Sequence, residues 1–149
     1  MELKVPQPMR MEHEGLLAEL EKATKVGGKV GEAAKVVAKA MHIHSIKEEE
    51  YALPPLGLLS QLAAGRVTPE MGCVLDMTNL LKEDLPNLLA EHQAIVAALM
   101  DLIDVAKAEG KTDCFHLAER LILHAQVEEE VAYPAAILIG EYLKLKLNR

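Results

Sequence analysis

His44-Ser45-Ile46-Lys47-Glu48-Glu49-Glu50-Tyr51-Ala52-Leu53-Pro54 returns in pattern, 80 positions later, as His124-Ala125-Gln126-Val127-Glu128-Glu129-Glu130-Val131-Ala132-Tyr133-Pro134. Both copies read His-x-x-x-Glu-Glu-Glu and then x-Ala-x-Pro. Residues i and i+4 share one face of an α-helix. His44 and Glu48 therefore reach the same point in space, and so do His124 and Glu128. An imidazole nitrogen beside a carboxylate oxygen suits a borderline transition metal such as iron, zinc or manganese.

The repeat extends outward. Glu12-His13-Glu14-Gly15-Leu16-Leu17 aligns with Glu91-His92-Gln93-Ala94-Ile95-Val96 at an offset of 79, one residue short of the first offset. Each half thus supplies a lone His on its first helix and His-x-x-x-Glu on its second. A single domain over 1–149 is expected, built from two helical hairpins (about 8–55 and about 84–147) with a helical linker (about 56–83) between them. Antiparallel packing into an all-α four-helix bundle is the natural outcome.

Apolar stripes at helical spacing support this division. Met9, His13, Leu16 and Leu20 form one, after Pro6 and Pro8 at the helix start. Gly27, Gly28 and Gly31 mark a turn, and a second helix from about Glu32 carries Val37, Met41, His44, Glu48 and Tyr51. Pro54-Pro55 should end or kink it. Leu56 to Ala64 reads as a short helical piece. Thr68-Pro69 reads as a capped helix start before Met71, Val74, Leu75, Thr78 and Leu81. Pro86 either kinks or restarts the next helix, whose stripe is Leu85, Leu88, His92, Ile95, Leu99 and Leu102. Gly110 ends it. Thr112-Asp113 is the expected cap of the last long helix, with Leu117, Leu121, His124, Glu128 and Val131 on one face. A final apolar segment runs from Ala135 to Leu147.

Composition narrows the classes of function. Half the residues are hydrophobic, yet only 3% are aromatic. Such a core is made of Leu, Ala, Val, Ile and Met, which favours helices over β-sandwich packing. The net charge of −7 argues against nucleic acid as a partner, because phosphate binding needs clustered Lys and Arg. No run of 18 apolar residues predicts a membrane helix, and MELKVPQPMR lacks the apolar centre of a signal peptide. Cys73 and Cys114 have no C-x-x-C spacing, so a cytoplasmic protein with reduced thiols is expected.

His13, His44, Glu48, His92, His124 and Glu128 occupy stripe positions that Leu, Ile or Val would otherwise fill. Breaking a buried ionic contact costs about 3–5 kcal/mol, a large part of the roughly 5–15 kcal/mol that holds a domain together. Six such residues need compensation. Metal ions provide it; mutual His–Glu hydrogen bonding in a metal-free structural bundle is the alternative. Four His and two Glu exceed the four ligands of a structural zinc site, so two ions are expected. If both carboxylates bridge them, an oxo or hydroxo bridge would add a ligand and leave one position open on each.

This set of spacings, with Pro six residues after each Glu, resembles the hemerythrin-like (HHE cation-binding) domain family over nearly the whole chain, from about Met9 to Tyr142. The resemblance implies a four-helix bundle around a non-haem di-iron centre, with His13, His44, His92 and His124 as terminal ligands and Glu48 and Glu128 as bridging carboxylates. Oxygen-carrying members have His-x-x-x-His on the third helix. Here Val96 stands four residues after His92, which brings the ligand set closer to iron–sulfur-repair and related bacterial members.

The expected function is binding of a small oxidant, dioxygen, at open iron positions. The rival is an enzyme acting on peroxide or nitric oxide, or iron delivery for iron–sulfur repair. No general acid stands at a readable spacing near the six residues, which favours binding. Of the other polar residues, His42 and His116 are expected off the site and Glu49, Glu50, Glu129 and Glu130 on a solvated face. Tyr51 lies on the metal-facing stripe, with core packing or a hydrogen bond to a bound ligand as its two readings.

Overall fold

The computed structural model describes all residues from Met1 to Arg149, and it is helical throughout. Helix α1 covers Gln7–Thr24 and α2 covers Gly28–Lys47. A π-helical turn, Glu48–Ala52, and a 3₁₀ turn, Pro54–Leu58, continue the chain into the short α3, Leu59–Ala63. A second 3₁₀ turn, Pro69–Val74, leads into the longest helix, α4, Leu75–Ala108. Helix α5 spans Thr112–Val127, a second π-helical turn covers Glu128–Ala132, and α6 runs over Tyr133–Leu147. The long helices make the set expected of a four-helix bundle: α4 lies against α2, α5 and α6, and α1 against α2 and α5.

Two apolar clusters make the core. One gathers Leu16, Leu20, Val37, Met41, Ile95, Leu99, Leu117 and Leu121 with their neighbours. The other gathers Tyr51, Leu56, Met71, Leu81, Leu88, Tyr133, Ile139 and Leu143 with theirs. The six polar stripe residues fall between the clusters on every long helix. His13 lies between Met9 and Leu16, His44 and Glu48 between Met41 and Tyr51, His92 between Leu88 and Ile95, and His124 and Glu128 between Leu121 and Ala132. A polar layer thus crosses an otherwise apolar interior, sealed at both ends.

Several boundaries differ from those expected. Helix α2 starts at Gly28 rather than near Glu32, because the turn is made with glycines. Gly28 has φ +76°, and a Cβ at Gly31 would lie 1.8 Å from the Val26 carbonyl oxygen. The piece expected over Leu56 to Ala64 divides into a 3₁₀ turn and α3. Helix α4 passes unbroken through Pro86. The junction expected near residues 83 and 84 therefore lies inside one helix. Pro86 is exposed, so the backbone carbonyl it leaves without a donor one turn earlier is accessible to water. Thr68 stands at the expected N-cap position with Pro69 in the first turn but makes no side-chain cap bond, and Lys111 rather than Thr112 or Asp113 precedes α5.

The two π turns were not foreseen, although each ends at the repeated proline motif. The amide of Leu53 donates to the Glu48 carbonyl at 3.0 Å, and that of Tyr133 donates to the Glu128 carbonyl. Proline supplies no amide and crowds the carbonyl one turn back; widening the preceding turn leaves room for it. The wider turn rotates later residues relative to an α-helical stripe. Ala132 therefore takes the inner position, and Val131, expected inside, is 60% exposed.

Helices α4 and α6 meet where Gly140 faces Thr78. A Cβ on Gly140 would lie 2.2 Å from Thr78 Oγ1 and 2.6 Å from its Cβ. No helix is long and apolar enough to cross a membrane.

Candidate metal centre

The six residues selected by spacing converge. Helix α1 supplies His13, α2 His44, α4 His92 and α5 His124. Each π turn opens with a glutamate, Glu48 or Glu128. Ligand atoms of His44, Glu48, His92 and Glu128 all lie within 4.8 Å of one another, and all four side chains are buried. Their grouping could hold a metal ion. His13 and His124 border the same carboxylates. His13 Nε2 lies 3.6 Å from Glu48 Oε1, which is also 3.5 Å from His44 Nε2. Glu128 Oε1 is 3.2 Å from His92 Nε2, and its Oε2 is 3.3 Å from His124 Nε2.

The imidazoles are oriented from outside. His44 Nδ1 donates to Glu91 Oε1 at 2.9 Å, His92 Nδ1 to Glu129 Oε1 at 3.0 Å, and His124 Nδ1 to Glu12 Oε1 at 2.9 Å. A carboxylate at Nδ1 selects the tautomer whose Nε2 lone pair faces inward, which is the arrangement that metal-ligating histidines use. His13 has no such carboxylate partner. Its ring instead borders a cavity of about 260 Å³ with Arg10, Glu14, Glu49 and Leu53. His124 borders a larger groove, of about 720 Å³, between α1 and α5.

Metal-free, the arrangement is incompletely satisfied. His13 Nε2, His124 Nε2 and Glu128 Oε2 are buried without an aligned hydrogen-bond partner. An orphaned buried polar atom costs about 1–3 kcal/mol, and a cation in the layer would satisfy all three. The donor set, imidazole and carboxylate without thiolate, fits iron, zinc or manganese. Cys73 is exposed, and Cys114 lies in the first apolar cluster.

Charge in the layer is divided unequally. Burial pushes the Glu48 carboxyl well above its usual range, and the neighbouring Glu128 carboxylate adds to this. Burial also opposes ionisation of Glu128, but the close approach of Glu48, His124 and His92 outweighs it and holds that carboxyl low. Burial lowers His13 and His44. For His92 and His124 burial acts the same way but loses to Glu128 and the outer carboxylates, so both are raised, His124 to about 8.

Three further side chains need placing. Tyr51 packs in the second apolar cluster, one of its two expected readings, and donates its hydroxyl to Asp84 rather than into the layer. Glu129 is not merely solvated, because it anchors His92. A hydroxyl that no helical spacing singled out does enter the layer. Tyr133 donates to Glu48 Oε2 at 3.1 Å and lies 3.0 Å from His44 Nε2 and 3.3 Å from His92 Nε2. Burial, then the charges of Glu48 and Glu128, holds its proton tightly. In the metal-free layer it is therefore a hydrogen-bond donor and a poor acid.

Sequence signals existed for some of what was missed. The residue before each lone His is a glutamate, and each anchors a histidine of the other half: Glu12 serves His124, and Glu91 serves His44. Tyr133 stands immediately before the repeated proline, where the first half has Leu53. His42 is exposed as expected, and His116 is exposed beside Glu119.

No family model, curated protein or solved structure matches this chain.

Proposed function

We propose that the chain is a non-haem di-iron protein of the hemerythrin-like type that binds a small oxidant, dioxygen, at the centre of an antiparallel four-helix bundle. The two apolar clusters support the antiparallel reading, since they alternate in order along successive long helices. The observation that carries the metal reading is the inward convergence of four imidazoles on two carboxylates in a sealed layer, with three imidazoles oriented by outer carboxylates. In this reading, His44 and His92 hold one ion, His13 and His124 hold the other, and Glu48 and Glu128 serve both. A pair of iron ions would supply open coordination positions and a reversible change of oxidation state. The protein's part is to keep the Nε2 lone pairs directed inward, exclude bulk water with apolar residues on both sides, and admit a small molecule past His13.

Binding is favoured over turnover because no general acid stands at a readable spacing from the six residues. The test is metal analysis with a visible spectrum on protein loaded with iron under anaerobic conditions and then exposed to air. Two irons per chain, with a charge-transfer band that disappears on deoxygenation, are expected. Rapid consumption of peroxide would replace binding with catalysis. A chain that takes up no metal would leave the metal-free bundle.

A further inference from the structure

The two halves of the repeat are equivalent in their His and Glu residues but not in the residue before the proline. The second half has Tyr133, whose hydroxyl lies inside the layer. The first half has Leu53, which borders the cavity at His13. The phenolic oxygen of Tyr133 lies 3.0, 3.1 and 3.3 Å from His44 Nε2, Glu48 Oε2 and His92 Nε2. All three residues belong to the four-residue group whose ligand atoms cluster within 4.8 Å.

One hydroxyl hydrogen cannot serve all three. Glu91 and Glu129 accept the Nδ1 protons of His44 and His92, so in the neutral rings both Nε2 atoms are acceptors. The phenolic hydrogen can satisfy one of the three, and His92 Nε2 also lies 3.2 Å from Glu128 Oε1. Ligand atoms about 2.1 Å from a shared ion, at right angles to one another, are about 3 Å apart. The phenolic oxygen therefore stands at the separation from its neighbours that a further ligand of that ion would have. A cation there reverses the electrostatics that keep the phenol protonated.

Resting on the metal reading above, we infer that Tyr133 is itself a ligand, through its phenolic oxygen, of the ion held by His44, Glu48, His92 and Glu128. Its hydroxyl proton leaves to solvent as the oxygen–metal bond forms. The two metal positions are then unlike. Tyr133 closes one. The other, beside His13 and Leu53, is the position left for an incoming small molecule.

The experiment loads the full-length chain and Tyr133→Phe with iron(II), followed by air, with metal content measured separately. The wild type is expected to show a visible phenolate-to-iron(III) band. Excitation in it should enhance tyrosine ring vibrations in the resonance Raman spectrum. Tyr133→Phe should lose these bands and bind its second equivalent of iron or zinc at least tenfold more weakly, while Tyr51→Phe keeps them. Wild type that carries iron but shows no tyrosine vibrations overturns the inference even if Tyr133→Phe fails to fold. So does a Tyr133→Phe chain that binds the second ion equally or more tightly, which would make the hydroxyl a placeholder that the metal displaces. Wild type that takes up no metal overturns instead the reading on which this inference rests.

Discussion

His44 Nδ1 donates to Glu91 Oε1 at 2.9 Å, and the other oxygen of that carboxylate is held by Lys47 Nζ at 2.6 Å. Lys47 also lies 3.5 Å from Asp84, which accepts the Tyr51 hydroxyl. A buried imidazole is thus connected to the surface by a run of charged groups on α2 and α4. Its direction is set by a residue that touches no other part of the polar layer.

Glu91→Gln tests that dependence. The amide keeps the shape but loses the charge that selects the His44 tautomer. Metal affinity should fall about 10–100-fold, with helical content unchanged by circular dichroism. Lys47→Ala should have a smaller effect in the same direction. Competition against a chelator of known affinity measures both.

Glu48→Gln separates function from stability. Burial pushes the Glu48 carboxyl up toward its neutral form in the metal-free layer, and glutamine resembles that form. The metal-free variant should match wild-type stability at pH 7 to within about 1 kcal/mol, while metal uptake is lost. A large fall in the denaturation midpoint without metal would show that the ionised carboxylate is needed for the fold itself.

The pH dependence follows from His124, raised from 6.5 to about 8. A histidine whose folded pKa is raised contributes stability that is complete below its unfolded value and is lost as pH rises through the folded one. Metal-free protein should therefore lose on the order of 1–2 kcal/mol between pH 6.5 and a little above 8. His92 changes in the same direction. The lowered His13 and His44 add nothing in this window, because their stability term is already complete above 6.5. Metal affinity should run the opposite way, rising through pH 8 with release of protons. Thermal unfolding of metal-free protein and calorimetry in buffers of different ionisation enthalpy check the two halves of this prediction.

Gly140→Ala should destabilise the chain by about 1–3 kcal/mol. The new methyl would overlap Thr78 and force α4 and α6 apart. Gly140→Ala with Thr78→Gly should recover part of the loss, since it removes the Oγ1 and the Cβ that would lie 2.2 and 2.6 Å from the new methyl. Chemical denaturation of the three chains measures the coupling.

The helices and the six inward polar residues were legible because both depend on local periodicity. Four-three spacing places His13, His44, Glu48, His92, His124 and Glu128 on apolar faces whatever those faces later meet. Their convergence follows from burying the faces together, and all but His124 fall in the fully buried class. Where the local rule changes, the reading fails. The π turns shift the register after Glu48 and Glu128, so Val131 turns outward; Tyr51 still packs in the core, with only its hydroxyl turned to Asp84. A four-three pattern assumes a uniform helix and cannot register the added residue.

What the sequence alone determined is the helical class, the repeat and the residues directed inward, because amphipathic spacing acts within one helix. Only the tertiary structure decided which carboxylate anchors which imidazole, that Tyr133 rather than Tyr51 enters the layer, and that His13 is left without an outer partner. Those contacts join residues that are 37 to 112 positions apart. They depend on how helices are set against one another, and no spacing within a single helix encodes that.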